Sequence, residues 1–433
     1  MKRRNFIKSS SLLSSAFILP GYTLKTKKNI YNDKIKLSLV GCGGRGTGAV
    51  INALNADDNI ELISMCDVFE DRIERSLNNL KDEFKGTSKI QVKNENCFTG
   101  FDGYKKTIDN ADVVILATPP GFRPQHFEYA VNSSKHVFVE KPVATDISGI
   151  KRFIESAKIV KKKKLNVVVG LQRRYQPSYI NTFKQVKRGM VGKIRSGIVK
   201  WNSRGVWVKE REKNQSELEY QMRNWYYFNW LCGDHIVEQH IHNIDVANWF
   251  IGDYPISAQG MGGREIRKDK KYGHIFDHHY VEFKYQNGAT IHSQCRHQPG
   301  TFYEVNEKLL GTKGVVNLDD SGIVSITDHK GNIIYEYDPI DDKSPYQIEH
   351  DLLFKSIRQG DQIDNSDYAV RSNLASIMGR MATYTGKVIK LNDVLKMNDN
   401  LVPNNLTWNS EPPIKPDIYG CLLYTSPSPR DRG

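Results

Sequence analysis

The 433-residue sequence predicts an α/β protein of two domains: an N-terminal doubly wound parallel sheet and a C-terminal α+β domain with a large, mostly antiparallel sheet. From residue 35 to about 169, apolar strands alternate with amphipathic helices, which is the pattern of a parallel sheet covered on both faces. From residue 194 onward, strand-like segments such as 277–285 and 289–295 are separated by turn signals such as Gln286-Asn-Gly288.

The first predicted strand runs into Gly41-Cys-Gly43-Gly-Arg-Gly46, and a predicted helix, 47–56, follows it. In a Rossmann-type unit the first glycine permits the tight turn, the second lets the backbone approach a pyrophosphate, and the third lets the helix pack on the strand. The pyrophosphate then lies at the helix N-terminus, where free N–H groups and the helix dipole favour an anion. The first domain is therefore predicted to bind a dinucleotide.

Asp67 indicates which dinucleotide this is. It ends the second predicted strand, 60–66, and lies 21 residues beyond Gly46. A carboxylate at this place accepts hydrogen bonds from the ribose hydroxyls of adenosine. It would also repel a 2′-phosphate, so the sequence favours NAD over NADP. Arg72, one helical turn further on, keeps NADP open as an alternative.

The remaining elements of the first domain continue the alternation: a charged helix to about residue 85, strand 111–118, helix 124–132, strand 136–139, helix 146–161 and strand 165–169. Ligands of doubly wound sheets bind outside the carboxyl ends of the strands. Thr118-Pro-Pro120 and Glu140-Lys-Pro142 both fall at such ends, so Lys141 is predicted to project at the nicotinamide end of the cofactor. The simpler alternative is that Glu140 and Lys141 are loop charges beside a turn proline.

In the second domain, helices are predicted at about 229–250, 345–359 and 367–387. The first of them would place four polar residues on one face, at i, i+3, i+7 and i+10: His235, Glu238, His242 and Asp245. Such a face fits a carboxylate that orients an imidazole acting as general base or acid. Two alternatives stay open, a metal held by His235, Glu238 and His242, and a polar helix face at a domain boundary. The spacing matches no standard zinc pattern, so we expect no metal.

Aromatic residues cluster just before this helix, at Trp225, Tyr226, Tyr227 and Trp230. Aromatic faces suit the apolar C–H face of a sugar, and their polar atoms suit its hydroxyls. Packing at a domain interface explains the same residues equally well.

The composition is that of a globular protein and gives no reason to expect nucleic acid as a partner. Charged residues make up 26% of the chain and hydrophobic residues 39%. The formal net charge is +13, but seven of these charges fall in residues 1–28 and one in 421–433, which leaves +5 over residues 29–420. The six cysteines include no Cys-x-x-Cys pair, so neither a disulfide framework nor a cysteine zinc site is indicated.

The chain start has the layout of an export signal. Lys2-Arg-Arg-Asn-Phe-Ile-Lys8 precedes the apolar, serine-rich stretch 11–19, and the paired arginines resemble a twin-arginine signal, with ordinary unfolded export as the alternative. We therefore expect a periplasmic or exported protein with no membrane association after export.

The last thirteen residues resemble a translated adaptor sequence. The predicted organisation is an export signal (1–21), a linker or arm (22–34), a dinucleotide domain (35–155), a second domain (156–400), a C-terminal tail (401–420) and a non-native end (421–433).

Together these motifs resemble the Gfo/Idh/MocA oxidoreductases over residues 35–400. The resemblance rests on the glycine turn, Thr-Pro-Pro, Glu-Lys-Pro and a carboxylate four residues before a histidine. It implies that Lys141, Glu238 and His242 are the catalytic residues, with Glu238 orienting His242. Many members carry Asp where this chain has Glu238, and the aromatic segment before the helix is not general in the family. These departures leave the substrate open.

The resemblance also implies binding residues. The expected cofactor-binding residues are Gly41, Gly43, Arg45, Gly46, Asp67, Thr118, Pro119, His126, Glu140, Lys141 and Gln172. The expected substrate-binding residues are Arg174, Tyr175, Trp225, Tyr226, Trp230, His235 and Asp245.

The implied activity is NAD(P)-dependent hydride transfer at a CH–OH group of a sugar, polyol or glycoside. Export favours a tightly bound cofactor, because little free dinucleotide is available outside the cytoplasm, and the arm would help to hold it. Sugar-to-sugar hydride transfer would then close the cycle. The alternatives are an NAD-dependent glycoside hydrolase that oxidises its substrate transiently, and a non-catalytic sugar-binding homologue. A homo-oligomer, dimer or tetramer, is also expected.

Overall fold

The computed structural model describes residues 33–415. The expected export signal and residues 22–32 of the expected arm lie outside the described residues. So does the segment 416–433, which includes the end that we interpret as non-native.

The first sheet is parallel, as predicted for the N-terminal domain, and has six strands, one more than the five that the sequence indicated. They are β1 (Ile35–Val40), β2 (Ile60–Asp67), β3 (Cys97–Thr99), β4 (Val113–Leu116), β5 (His136–Val139) and β6 (Val167–Val169). The spatial order is β3-β2-β1-β4-β5-β6, so the chain leaves β1 first to one side and then to the other. That reversal is the doubly wound topology, and it opens a crevice at the carboxyl ends of β1 and β4.

Five helices cover the two faces of this sheet: α1 (Gly44–Ala56), α2 (Glu70–Glu83), α3 (Gly103–Asp109), α4 (Arg123–Asn132) and α5 (Ile147–Lys163). Local signals set their ends. In α5, Asp146 accepts a hydrogen bond from the backbone N–H of Gly149 at 2.6 Å, and Lys164 ends the helix with φ +54°. The expected domain boundary at residue 155 falls inside α5, and β6 still belongs to the first sheet. The first domain therefore extends further than expected.

The second sheet has nine strands: β7 (Ile194–Ser203), β8 (Pro255–Gly263), β9 (His278–Tyr285), β10 (Thr290–His297), β11 (Glu304–Gly311), β12 (Val315–Asp319), β13 (Val324–Thr327), β14 (Ile333–Tyr337) and β15 (Ile389–Lys390). Their order is β14-β13-β12-β11-β7-β10-β9-β8-β15. The pair of β7 and β10 is parallel, and the other pairs are antiparallel, which confirms the predicted mostly antiparallel sheet.

The helices of the second half are α6 (Pro177–Lys187), α7 (Glu217–Arg223), α8 (Asn229–Cys232), α9 (His235–Glu238), α10 (Ile241–Ile251), α11 (Pro345–Gln359), α12 (Ser366–Thr385) and α13 (Leu391–Val394). Helices α10 and α12 pack on the inner face of the sheet. On β10 that face carries Ile291, Ser293 and Cys295, alternating with more exposed neighbours.

The helix predicted over 229–250 is broken into α8, α9 and α10. Gly233 ends α8 in the left-handed conformation with φ +80°, and Asp234 begins α9 by accepting from the backbone N–H of His235. Because the chain changes direction there and again at Gln239, the four polar residues of the predicted face do not share one face.

Helix α11, expected in the second domain, packs on the core of the first. Leu353, Phe354 and Ile357 are buried in the same cluster as the inner residues of β1 and α1. Gln347 Nε2 donates to the carbonyl of Asn52 at 2.8 Å, which fixes α11 against α1. The C-terminal part of the chain therefore completes the dinucleotide-binding domain.

Two negative findings apply to the described part of the chain. Between residues 33 and 415, no helix is both long and apolar enough to cross a membrane. The five cysteines in this range are all free.

Candidate active site

The glycine turn has the geometry that the motif predicts. Gly41 has φ +100°, and a Cβ there would lie 2.6 Å from the backbone nitrogen of Thr118. A Cβ on Gly46 would lie 2.1 Å from the carbonyl oxygen of Gly41. Gly43 differs, because its φ is −73° and a Cβ would meet nothing within 4 Å. Nothing in the described chain requires glycine at position 43, so the close approach of a ligand is the remaining reason for it.

This contrast gives a matched pair of substitutions. Gly43→Ala should leave the free energy of unfolding unchanged and weaken NAD binding about tenfold or more, since the new methyl group enters open space that the ligand needs. Gly46→Ala should lower the free energy of unfolding by about 1–3 kcal/mol, because the methyl group meets backbone. Urea unfolding and NAD titration on both variants check this. Equal NAD affinity in Gly43→Ala and the parent would contradict the assignment.

Asp67 lies at the end of β2 as predicted, and it also braces the glycine turn. Its Oδ2 accepts from the backbone N–H of Cys42 at 2.8 Å, and its Oδ1 accepts from that of Phe69 at 3.1 Å. Burial raises the pKa of this carboxyl, although the two backbone hydrogen bonds act to lower it. Beside it is an open cleft, lined among others by Val68, Phe101, Thr118, Pro119 and Met222. We call it the adenosine cleft, because the acid after β2 is where adenosine ribose binds in this topology.

His126 and Arg123 support the two proline turns. His126 Nδ1 lies 3.2 Å from Thr118 Oγ1, and burial lowers the pKa of His126 to about 3, so the ring is a neutral part of the cleft wall. The buried Arg123, which sequence reasoning missed, donates to the carbonyls of Thr118 at 2.9 Å and Pro142 at 2.7 Å. It therefore ties the turn after β4 to the turn after β5. Its position at the start of α4, directly after Pro-Pro-Gly-Phe, was the available signal.

Arg45 and Glu140 form an ion pair at the carboxyl edge of the sheet. Arg45 Nε donates to Glu140 Oε1 at 2.5 Å, and its Nη2 lies 3.7 Å from Glu349 of α11. Burial and the charge of Glu140 raise the pKa of Glu349 well above its usual range. Neither carboxylate oxygen of Glu349, nor Oε1 of Gln172, has a hydrogen-bond partner among residues 33–415. These unsatisfied polar atoms near the crevice fit a polar ligand.

Lys141 meets Glu238 across the domain boundary. The Lys141 ammonium donates to Glu238 Oε1 at 2.9 Å and to the Glu238 carbonyl at 2.6 Å. Both side chains are largely buried, with 12% and 9% exposed. Lys141 follows β5 of the first sheet, and Glu238 ends α9 of the second domain. The two predicted catalytic residues are therefore in direct contact.

His242 lies in the first turn of α10, close enough to Lys141 for the lysine charge to act on its imidazole. Burial, and then the charges of Lys141 and Arg173, hold the pKa of His242 well below its ordinary value. The imidazole is therefore neutral at neutral pH and can accept a proton. Trp201 of β7, which sequence reasoning missed, stacks on it with ring centroids 6.1 Å apart.

The orienting role expected of Glu238 needs a correction. Its Oε1 accepts from Lys141, its Oε2 has no partner within the described chain, and His242 Nδ1 likewise has none there. Because α9 ends at Glu238 and the chain turns before α10, the four-residue spacing does not bring the two side chains into a hydrogen bond. Glu238 therefore positions Lys141 in this structure, and not His242.

Several expected substrate-binding residues have other partners. Arg174 forms a bidentate pair with Asp245, at 2.8 Å for both contacts. Tyr175 donates to Asn365 Oδ1 at 2.6 Å and is buried with α11. Trp230 is fully buried, and its indole N–H donates to Gln221 Oε1 at 2.8 Å. These four residues hold the architecture together, because their polar groups already bind other parts of the chain.

Tyr226 and Trp225 remain candidates for substrate contact. The Tyr226 hydroxyl is buried without a hydrogen-bond partner in the described range, and the nearby charge of Glu238 helps burial to raise its pKa. Trp225 is half-buried and lies 5.6 Å from Tyr226 between ring centroids. Tyr226 thus places an unused hydroxyl near the Lys141 and Glu238 pair.

His235 belongs to a separate buried cluster. Its Nδ1 lies 2.8 Å from Asp234 Oδ1, and His279 Nε2 lies 3.3 Å from the same oxygen. By spacing alone, Asp234, His235 and His279 could surround a cation. The positive charge of Arg267 acts on His235 and disfavours a bound cation there. The alternative metal set of His235, Glu238 and His242 is not assembled, since Glu238 binds Lys141.

Comparison with known families assigns both halves of the chain. A sequence model described as the oxidoreductase family with an NAD-binding Rossmann fold matches residues 35–171. A second, described as the GFO/IDH/MocA C-terminal domain, matches residues 183–317.

Similar proteins include several inositol dehydrogenases. The inositol 2-dehydrogenase/D-chiro-inositol 3-dehydrogenase of Lactiplantibacillus plantarum is 21% identical over 286 residues, which is 65% of this chain and 71% of that protein. Inositol 2-dehydrogenase 3 of Saccharopolyspora erythraea is 28% identical over 49% of this chain and 56% of its own length. A glycosyl hydrolase family 109 protein of Streptomyces coelicolor matches less of the chain, 38%, and 33% of its own length. The matched part is thus little more than half of some of these relatives.

Solved structures share the fold. An aldose–aldose oxidoreductase from Caulobacter crescentus superimposes with a TM-score of 0.65 at 18% identity, covering 83% of this chain and 100% of that one. A scyllo-inositol dehydrogenase from Lactobacillus casei, solved with NAD(H) and scyllo-inositol, gives a TM-score of 0.62 at 18% identity with the same coverage. The two family matches together span more than half of the sequence, and the protein belongs to the Gfo/Idh/MocA family of NAD-binding oxidoreductases.

Proposed function

We propose that the protein transfers hydride between a resident NAD and a CH–OH group of a sugar or polyol. The observation that carries the proposal is the contact of Lys141 with Glu238, next to the neutral His242, at the carboxyl edge of the dinucleotide-binding sheet. A proton-accepting group and a cation at that edge are what the oxidation of an alcohol requires.

The residues of the crevice fit NAD. Gly43 leaves open space next to the N-terminus of α1 for the pyrophosphate, and Asp67 borders the adenosine cleft. Glu140, Gln172 and Lys141 lie toward the nicotinamide end, where Gln172 still offers an unsatisfied oxygen. When bound, NAD supplies the two-electron acceptor that takes the hydride.

The chain itself handles the proton. In the oxidation direction the substrate carbon loses a hydride, its hydroxyl oxygen loses a proton, and a carbonyl group forms. His242 accepts that proton. Lys141 is an ammonium and cannot accept one; it uses two of its three N–H groups on Glu238 and offers the third to the substrate oxygen. Glu238 holds the Lys141 ammonium in place through two hydrogen bonds, so the geometry exists before substrate binds. Trp201 and Tyr226 present an aromatic face and a hydroxyl near these groups.

The substrate class follows from the relatives. Several of them are named as inositol dehydrogenases, and one structural neighbour is named as an aldose–aldose oxidoreductase. These names support polyols and aldoses as substrates, and the second supports a closed cycle in which one sugar reduces the cofactor and another reoxidises it. Glycoside hydrolysis has weaker support, since the related glycosyl hydrolase matches a smaller part of the chain.

Export by a twin-arginine-like signal and assembly into a dimer or tetramer are parts of the same proposal. The basic start followed by an apolar, serine-rich stretch supports export, and the family resemblance supports assembly. Fractionation of the native cells and light scattering of the purified protein test these two points separately. Retention of the full-length chain in the cytoplasm would contradict the first, and a monomer would contradict the second.

The function is tested with the purified full chain and added NAD. A panel of cyclic polyols and aldoses is screened for the appearance of reduced nicotinamide fluorescence. We expect reduction with at least one polyol or aldose, and reoxidation when a ketose or aldose acceptor is added. Binding of NAD without reduction by any member of the panel would contradict the proposal.

The pH dependence of oxidation should reflect His242. A base works only when unprotonated, and the pKa of His242 lies well below 6.5, so its neutral fraction persists as the pH falls through 6.5. We therefore expect kcat/KM to keep its value at pH 6.5 and to decline only at lower pH. A profile of kcat/KM for the parent and for His242→Gln checks this. Half-loss of kcat/KM in the parent at or above pH 6.5 would contradict it.

A further inference from the structure

The adenosine cleft is bordered by chain segments that come from far away in the sequence. Its floor comes from the first domain, at the ends of β2 and β4. Met222 of α7 lines the same cleft, although α7 lies in the long connection between β7 and α8. The segment 401–415, which follows α13, reaches the same place through Trp408. None of these outer walls belongs to the six-stranded sheet.

Trp408 packs on two aromatic residues at the cleft. Its ring centroid lies 5.0 Å from that of Phe101, which lines the cleft, and 5.5 Å from that of Phe69, which follows the lining residue Val68. The indole is 40% exposed, so one side is free of protein contact. Trp408 therefore extends an aromatic cluster outward from the lining residue Phe101, beside the cleft where adenosine binds in this topology.

Arg223 secures the α7 wall to the first domain. Its guanidinium lies 3.7 Å from the centre of the Phe69 ring, and its Nη1 lies 2.8 Å from Asp71 Oδ1 at the start of α2. Arg223 makes both a cation–π contact and an ion pair, and together they hold α7 against the start of α2. Moving α7 away from the cleft would break both contacts.

The segment carrying Trp408 is itself anchored on both sides. The backbone N–H of Leu401 donates to Asp146 Oδ2 at 2.7 Å, and the carbonyl of Ile414 accepts from Gln221 Nε2 at 2.6 Å. Leu406 and Ile414 are buried in the same apolar cluster as α7 and α8. The segment that carries Trp408 is thus anchored at two points, one on each domain.

We propose that Met222, Arg223 and Trp408 form a clasp over the adenosine half of NAD, and that this clasp makes the dinucleotide a resident cofactor. The inference rests on the proposed function, because it assigns the cleft to adenosine. A dinucleotide bound beside Asp67 leaves only after the segment 401–415 or α7 moves. This requirement slows the release of the cofactor and leaves the rate of hydride transfer at Lys141 unchanged. The retention expected from an N-terminal arm is thereby assigned to the opposite end of the chain.

The test measures release, and not turnover. The full chain is loaded with NADH, free cofactor is removed, and loss of bound fluorescence is followed after addition of excess NAD. We expect Trp408→Ala to release NADH about tenfold faster or more, since one large aromatic contact is lost. Trp408→Phe should restore most of the retention. Phe302→Ala, an exposed aromatic on the loop before β11, should release at the parental rate.

The outcomes separate the clasp from the function. Slow release from the parent and equally slow release from Trp408→Ala would overturn the clasp and leave the proposed function intact. Fast release from the parent would also overturn the clasp. A parent chain that binds no dinucleotide would overturn the proposed function itself. If Trp408→Ala fails to fold, Arg223→Gln is used in its place. This substitution removes the guanidinium charge that contacts the Phe69 ring and Asp71, and we expect the same acceleration of NADH release.

Discussion

Replacing Lys141 with methionine is expected to lower kcat for polyol oxidation by about 10²–10⁴-fold. The structure places the Lys141 ammonium between the dinucleotide-binding sheet and Glu238, where it is held by two hydrogen bonds. Methionine keeps the length of the side chain and removes its charge and its donors. The measurement is the single-turnover rate at which bound NAD is reduced by saturating polyol, so cofactor binding does not enter.

Two further variants make this result specific. Lys141→Met leaves Glu238 as an unpaired carboxylate in a largely buried place, so Lys141→Met combined with Glu238→Gln separates lost chemistry from lost stability. Lys158→Ala, an exposed lysine on α5, is the matched control and should retain parental kcat. A Lys141→Met enzyme that turns over at the parental rate would remove Lys141 from the mechanism.

Replacing Asp234 with alanine is expected to lower the free energy of unfolding by about 3–5 kcal/mol. This fully buried carboxylate accepts from the backbone N–H groups of His235 and Phe276 and from the hydroxyl of Tyr384. Burial would raise the pKa of Asp234, but His279 and His235 hold it well below its usual range. Alanine would remove the acceptor that these donors share, and it would also have to adopt φ +71°.

Urea unfolding monitored by circular dichroism measures this loss. Asp234→Asn should cost less than Asp234→Ala, because asparagine keeps an acceptor and tolerates positive φ. Asp102→Ala, whose side chain is 81% exposed, should stay within about 0.5 kcal/mol of the parent. If Asp234→Ala unfolds at the parental urea concentration, the cluster does not stabilise the fold as described.

The sequence was informative wherever a local pattern decides the structure. The two sheets, the glycine turn and the ends of β2, β4 and β5 were predicted, because alternation and glycine spacing follow from local geometry. Helix α11 was placed at its observed bounds, 345–359. The family motifs named Lys141 and Glu238 as catalytic residues, but the contact between them was not predicted. The catalytic roles of these residues remain predictions.

The failures have two physical causes. At Gly233-Asp234 one helix ends and the next begins. The prediction did not use these two capping signals, so it treated α8, α9 and α10 as one helix and placed four polar residues on one face. The second cause is tertiary pairing. Arg174 pairs with Asp245, and Arg123 binds the carbonyls of two separate turns. Spacing along the chain contains no information about such contacts.

The central claim is hydride transfer from a polyol carbon to NAD held in the crevice. It is tested most directly by incubating the NAD-loaded protein with a substrate deuterated at its CH–OH carbons and measuring the mass of the nicotinamide released on denaturation. The account predicts reduced nicotinamide that carries one deuterium, and almost none from Lys141→Met in the same time. Reduced nicotinamide without deuterium, or no reduced nicotinamide from a protein that holds NAD, would contradict it.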